Sequence, residues 1–192
     1  LQLKPIVNDF AGNQAKIITG MEQAKQAGAD LVITPELATV GYPAEDLLNR
    51  RSTLEWSNEV VAAIQATASR LQISVLLGCL RETDHEGKKP LYNAAVFIGP
   101  DGEIHHTHRK SLLPTYDVFH ENRYFAEGAA EDSEVTTLRT GVPCGVTICE
   151  EVWADNSFWP DTEYDTDPVQ YLTENGAKVI INLSASPYSL GK

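Results

Sequence analysis

The chain has 192 residues, 42% hydrophobic and 22% charged, and its 27 Asp and Glu against 15 Lys and Arg leave a formal net charge of -12. That is the profile of one ordinary globular domain. Its acidity, with no basic patch to offset it, argues against nucleic acid and anionic membrane as partners and leaves small neutral or zwitterionic molecules. No apolar run is long enough to span a bilayer, and "LQLKPIVNDF" lacks the regions of a signal peptide, so a soluble protein is expected. Cys79, Cys144 and Cys149 are odd in number and form no CxxC pair. Neither a disulfide framework nor a thiolate metal site is indicated, and a reducing, cytoplasmic setting is expected.

In chain order, residues 1–7 ("LQLKPIV") read as the latter part of a first strand. They carry no initiator Met, and "VIINLSASPYSLGK" stops just after a strong strand, so the expectation is a fragment of a longer protein. Ile17, Met21 and Ala24 recur at helical spacing, with Gly28 where a C-cap belongs. "DLVITPEL" reads as a buried strand ending at Thr34. "TLEWSNEVVAAIQATASRLQ" is a second helix, with Trp56, Val60, Ala63, Thr67 and Leu71 on its apolar stripe. "ISVLLGCL" is another buried strand, and "LYNAAVFIGPDGEIHHTHRK" places two extended arms around a Gly-Pro-Asp-Gly turn, a hairpin. An irregular polar stretch, 111–134, leads to two strands in "EVTTLRTGVPCGVTIC", a loop or helical segment, and a last strand in "AKVIINLSA". With no repeat or low-complexity linker, one layered α/β domain is predicted.

Three positions share a local pattern in which an apolar strand ends on a chemically able residue: Glu36 after "DLVITP", Lys110 after "EIHHTHR" and Cys149 after "CGVTI". Ligands collect beyond strand ends in α/β sheets, so these side chains are candidates to converge. Each also has a plainer reading, as a solvated carboxylate, a surface cation and a packed thiol. Cys79, inside "VLLGCL", and Cys144, before a strand glycine, read as structural. His106 and His108 share one face of a strand, but no third ligand is evident for a metal. The acidic run "PDTEYDTDP" lacks the glycine and terminal glutamate of a calcium loop. Gly99, Gly102 and Gly128 are turn glycines with no phosphate-cradling motif around them.

"PELATVGYPAEDLL" (35–48), "YNAAVFIGPDGEI" (92–104), "HRKSLLPTYDVFHENRYF" (108–125) and "CEEVW" (149–153) together resemble the nitrilase superfamily of carbon–nitrogen hydrolases. More narrowly they resemble the glutamine-hydrolysing domains of glutamine-dependent NAD synthetases. The chain departs from that branch at Glu151 and His120, where Asp is more usual. The resemblance implies a four-layer α-β-β-α sandwich, here a partial domain over residues 1–192, with a catalytic triad of Glu36, Lys110 and Cys149. It implies that Glu121 supports Lys110 and the substrate amide. Tyr42, Tyr116, Glu150 and one of Ser184 and Ser186, with the choice between the serines open, are implied to hold the amino-acid end of glutamine.

The implied chemistry is hydrolysis of the glutamine side-chain amide through a cysteine thioester, with no cofactor and no metal. The ammonia would amidate nicotinic acid adenine dinucleotide to NAD in a synthetase domain in cis, where ATP and Mg act. The family also implies a homo-oligomer. Two other readings stand beside this one: a free-standing nitrilase-type amidase or carbamoylase, and a non-catalytic docking or regulatory domain.

Overall fold

The computed structural model describes residues 1–83, 89–129, 133–138, 140–155, 164–187 and 190. Helix α1, Phe10–Gln26, starts where the Asp9 side chain accepts the Gly12 N–H, satisfying a donor that has no acceptor within the helix. It buries Ile17 and Met21 and ends before Gly28, whose φ of 81° suits a residue without a Cβ. After strand β1, Leu31–Ile33, and a short 3-10 turn over Glu45–Asn49 comes α2, Arg51–Leu71. Strands β2 (Ser74–Glu82), β3 (Leu91–Ile98) and β4 (Ile104–Arg109) follow. They join β1 in a sheet of order β1-β2-β3-β4, in which only the β1–β2 pair is parallel. The hairpin expected around Gly99–Gly102 is the β3–β4 connection.

A second sheet has the order β5-β6-β7, from Thr136–Thr137, Pro143–Ile148 and Val179–Leu183. The β5–β6 pair is antiparallel and the β6–β7 pair parallel. Between β4 and β5 lies the four-residue helix α3, Glu121–Tyr124, and between β6 and β7 lies α4, Pro168–Glu174. Proline at the first position of α4 and the Asp167 side chain accepting the Gln170 N–H set where that helix starts.

Side-chain alternation along the strands assigns the layers. Val75, Leu77 and Cys79 of β2 pack with Ile17, Met21, Val60 and Ile64 of the helices. Leu76, with Ala95 and Phe97 of β3, points the other way onto Val146, Ile148 and Leu183 of the second sheet. The far face of that sheet is covered by α4, where Gly145 leaves room for Leu172. The result is helices, sheet, sheet, helix: the expected four-layer sandwich. No helix among the described residues is long and apolar enough to cross a membrane.

Three expectations are corrected. Residues 1–7 are not a strand. Pro5 has no N–H to donate, and both backbone groups of Ile6 are taken by the Asn13 side chain, at 2.8 Å each. The stripe of α2 is set one step away from Trp56, which is 44% exposed and lies over Phe10 with ring centroids 5.3 Å apart. Its buried line runs through Leu54, Ser57, Val61, Ile64 and Ala68 as well as Val60 and Thr67, while Ala63 and Leu71 are half-buried. The stretch read as irregular from 111 contains α3, which carries Glu121.

Candidate active site

Glu36 sits just beyond β1. The chain turns over β2 there because Thr34 N–H donates to the Leu76 carbonyl at 3.0 Å and the Thr34 hydroxyl accepts the Gly78 N–H at 3.0 Å. Gly78 makes the crossing possible. A Cβ on it would press on the Pro35 carbonyl and lie 2.8 Å from Leu37 N. Glu36 is thereby buried, 1% exposed. Lys110 follows β4, its N–H donating to the Asn93 carbonyl at 2.9 Å. Glu121 opens α3, and Cys149 follows β6 and begins a 3-10 turn over Cys149–Trp153 with a φ of 46°. That is left-handed backbone, which a residue with a Cβ adopts only when its surroundings hold it there.

These elements bring one ammonium between two carboxylates. Lys110 Nζ donates to Glu36 Oε1 at 2.8 Å and to Glu121 Oε1 at 2.9 Å, and Lys110 itself is 0% exposed. Burial alone would lower the lysine pKa, but Glu36 and Glu121 more than reverse it, so the ammonium stays charged. Two carboxylates cannot both be neutralised by one cation. Burial and then Glu36 hold the Glu121 carboxyl above its ordinary range, against Lys110. Asn93 Nδ2 donates to Glu36 Oε1 at 2.7 Å, Ala185 N–H to Glu36 Oε2 at 3.2 Å, and the Tyr42 hydroxyl to Glu121 Oε1 at 2.8 Å. Burial and Glu121 push the Tyr42 phenol upward, which keeps it a donor.

Cys149 is 6% exposed. Burial raises its thiol pKa and Glu36 adds to this, while Lys110, the Ser184 hydroxyl and the Ala185 N–H oppose them; the net shift is upward. The neutral thiol is therefore favoured over the thiolate at rest. The two carboxylates that follow it in sequence face opposite ways. Glu150 accepts from the Tyr116 hydroxyl at 2.8 and 2.9 Å and from the Tyr164 hydroxyl at 2.9 Å. Glu151 turns inward to His108, Ser111 and the Ile148 N–H. In a 3-10 turn successive side chains are about 120° apart, which separates the pair.

Of the residues expected at the site, Glu36, Lys110, Glu121, Tyr42, Cys149 and Ser184 form one connected group. Glu150 and Tyr116 form a second beside it, joined to Tyr42 through Phe119, whose ring lies 6.3 Å from Tyr42 and 5.6 Å from Tyr116. Tyr42 thus faces Glu121 rather than Glu150. Ser184 and Ser186 are both exposed. A cavity of about 440 Å³ opens beside Glu36, Tyr42, Ser184 and Ala185. His108 pairs with Glu151 rather than with His106, and among the described residues no group of three or more His, Cys, Asp or Glu is placed to share a metal.

Sequence reasoning missed Asn93, Tyr164 and the contacts of Glu151. A lone Asn in the otherwise apolar "LYNAAVF" was an available signal. Tyr164 lies in the acidic run read as solvated, of which 160–163 fall outside the described residues. A buried thiol, buried carboxylates and a fixed cation are kinds of group found in acyl-transfer sites.

A family model described as carbon-nitrogen hydrolase matches residues 1–190. A glutamine-dependent NAD(+) synthetase from Synechocystis sp. is 42% identical over 196 residues, covering 100% of this chain and 34% of that protein. Among solved structures, the glutamine-dependent NAD+ synthetase from Acinetobacter baumannii in complex with adenosine diphosphate superposes with a TM-score of 0.80 and 33% identity. That match covers 99% of this chain and 32% of that one. A mutant of an amidase of the nitrilase superfamily from Nesterenkonia gives a TM-score of 0.81 at 18% identity over 99% of this chain and 65% of its own, a likeness of fold. The chain spans about a third of the length of the synthetases it matches.

Proposed function

Because this chain belongs to the carbon–nitrogen hydrolase family, we propose that it hydrolyses the side-chain amide of glutamine and delivers ammonia to a synthetase domain of the same protein. The observation that carries this reading is the Lys110 ammonium held by both Glu36 and Glu121 beside the Cys149 thiol. As Cys149 Sγ attacks the amide carbon, Glu36 takes the thiol proton. Charge develops on the carbonyl oxygen, where Lys110 and the Glu150 N–H receive it. One such donor contributes roughly 3 to 4 kcal/mol in comparable sites. When the C–N bond breaks, Glu36 returns the proton to the leaving nitrogen, which departs as ammonia. A water deprotonated by Glu36 then attacks the γ-glutamyl thioester, and the sulfur leaves to recover its proton as glutamate forms.

Glu121 is the group that keeps Lys110 aligned and meets the substrate amide. Glu150, backed by Tyr116, takes the α-ammonium, and Ser184, whose hydroxyl opposes the rise of the Cys149 thiol pKa, is the serine assigned to the site. In this reading residues 1–192 are part of one nitrilase-type glutaminase domain, cytoplasmic and homo-oligomeric in the full protein. The synthetase domain uses ATP and Mg to make NAD from nicotinic acid adenine dinucleotide. The described residues hold no cluster fitted to a metal, and no step of amide hydrolysis is routed through either group.

The test is ammonia release by the protein carrying this chain, supplied in turn with glutamine, acetamide and an N-carbamoyl amino acid. Preference for glutamine, abolished in Cys149→Ala, is expected. A preference for simple amides, or release that survives in Cys149→Ala, rejects the proposal.

A further inference from the structure

Resting on that reading, we propose that Glu151 is a positioning residue, a brace that sets Cys149 Sγ against Lys110 Nζ across the two sheets. It is 0% exposed, and its carboxylate is fully engaged. Oε1 accepts the Ser111 N–H at 2.8 Å and the Ser111 hydroxyl at 2.7 Å. Oε2 accepts the Ile148 N–H at 2.6 Å and faces His108 Nε2 at 2.7 Å. A buried carboxylate is tolerated only when its lone pairs are met, and here four donors meet them.

The identity of those donors carries the inference. His108, on β4 of the first sheet, and Ser111 flank Lys110 just past the end of that strand; Ile148 immediately precedes Cys149, at the end of a strand of the second sheet. Among the described residues the two sheets share no strand pairing and stack through apolar side chains, whose non-directional packing resists separation better than sliding. Directional hydrogen bonds from one carboxylate to both sides resist sliding as well. Oε2 also anchors the N–H just before the left-handed backbone of Cys149, whose φ of 46° needs such an anchor. Glu151 touches none of the atoms that react. Its effect on them passes through Lys110 and Cys149.

Replacing one carboxylate oxygen by an amide in Glu151→Gln sets an N–H₂ group against the donors of one side, releasing either the lysine strand or the cysteine turn. The test uses the protein at its natural length and three readouts: steady-state glutamine hydrolysis, thermal unfolding, and alkylation of Cys149 by chloroacetamide. In Glu151→Gln, kcat is expected to fall at least about tenfold, the scale on which loss of an orienting partner acts. KM for glutamine should stay within about twofold, and alkylation of Cys149 should slow in parallel. His108→Gln keeps an N–H at the same reach and should recover most of the activity that His108→Ala loses. This pair carries the test if Glu151→Gln does not fold.

A folded Glu151→Gln with unchanged kcat and alkylation rate overturns the proposal. So does a lowered Tm without a kcat effect, or equal activity in the two His108 variants. If the wild type releases no ammonia from glutamine, it is the functional reading that fails, and the alkylation rates still decide the brace.

Discussion

Replacing Lys110 by Met keeps the volume and the apolar stem of the side chain while removing the charge, so its effect reports the ion pairs rather than a cavity. The three groups are 0%, 1% and 4% exposed, so solvent screening gives little relief. Breaking a pair of this kind from one side costs about 3 to 5 kcal/mol, because the remaining charges stay buried and uncompensated. Glu121 is already held above the ordinary carboxylate range by burial and Glu36, and without the ammonium it moves further up. A carboxylate whose folded pKa exceeds its unfolded value favours the protonated fold, and that contribution is lost as pH rises through the folded pKa. The stability gap between wild type and Lys110→Met should therefore be smallest near about pH 5 and widen toward about pH 8, measured by urea unfolding at each pH. In the same variant kcat for glutamine should fall by about 10²–10³ with KM little changed, since the lost interaction belongs to the transition state. A gap that narrows with rising pH refutes the electrostatic argument, and near-normal turnover in a folded variant removes Lys110 from the mechanism.

A glutamine-like electrophile such as a diazoketone analogue, used substoichiometrically, should label Cys149 before Cys79 or Cys144, as read by peptide mapping. All three thiols are free and buried, but Cys79 is fully enclosed and burial pushes its pKa up to about 12. Because burial and Glu36 raise the Cys149 thiol above its ordinary range, its alkylation by neutral chloroacetamide should reach half-maximal rate at a higher pH than a free model thiol; a lower midpoint contradicts that assignment. Gly78→Ala should destabilise the fold by about 1 to 3 kcal/mol or more, since the added methyl meets backbone that cannot swing aside. It should also depress glutamine hydrolysis by displacing Glu36. Unchanged denaturation and activity would show that the loop over β2 yields.

Much of this protein was determined locally. The 3.6-residue repeat of α2, the Gly-Pro-Asp-Gly turn between β3 and β4, and the change from apolar run to reactive residue at Glu36, Lys110 and Cys149 can be read along the chain, because helix propagation, turns and strand ends depend on near neighbours. Phase was less secure. A one-residue error around a helix rotates the stripe by about 100°, enough to move Trp56 from the core to the surface. Residues 1–7 looked extended, yet Asn13, seven positions beyond Ile6, claims both backbone groups of Ile6. What only the tertiary structure decided lies at longer range. Asn93 reaches Glu36 across 57 positions, and His108 reaches Glu151 across 43. Glu150 and Glu151 are chemically identical neighbours, and nothing in their own sequence separates them. Their fates diverge because a left-handed cysteine starts a tight turn at the rim of two stacked sheets, sending one carboxylate to the tyrosines and the other into the gap between the strands that carry Lys110 and Cys149.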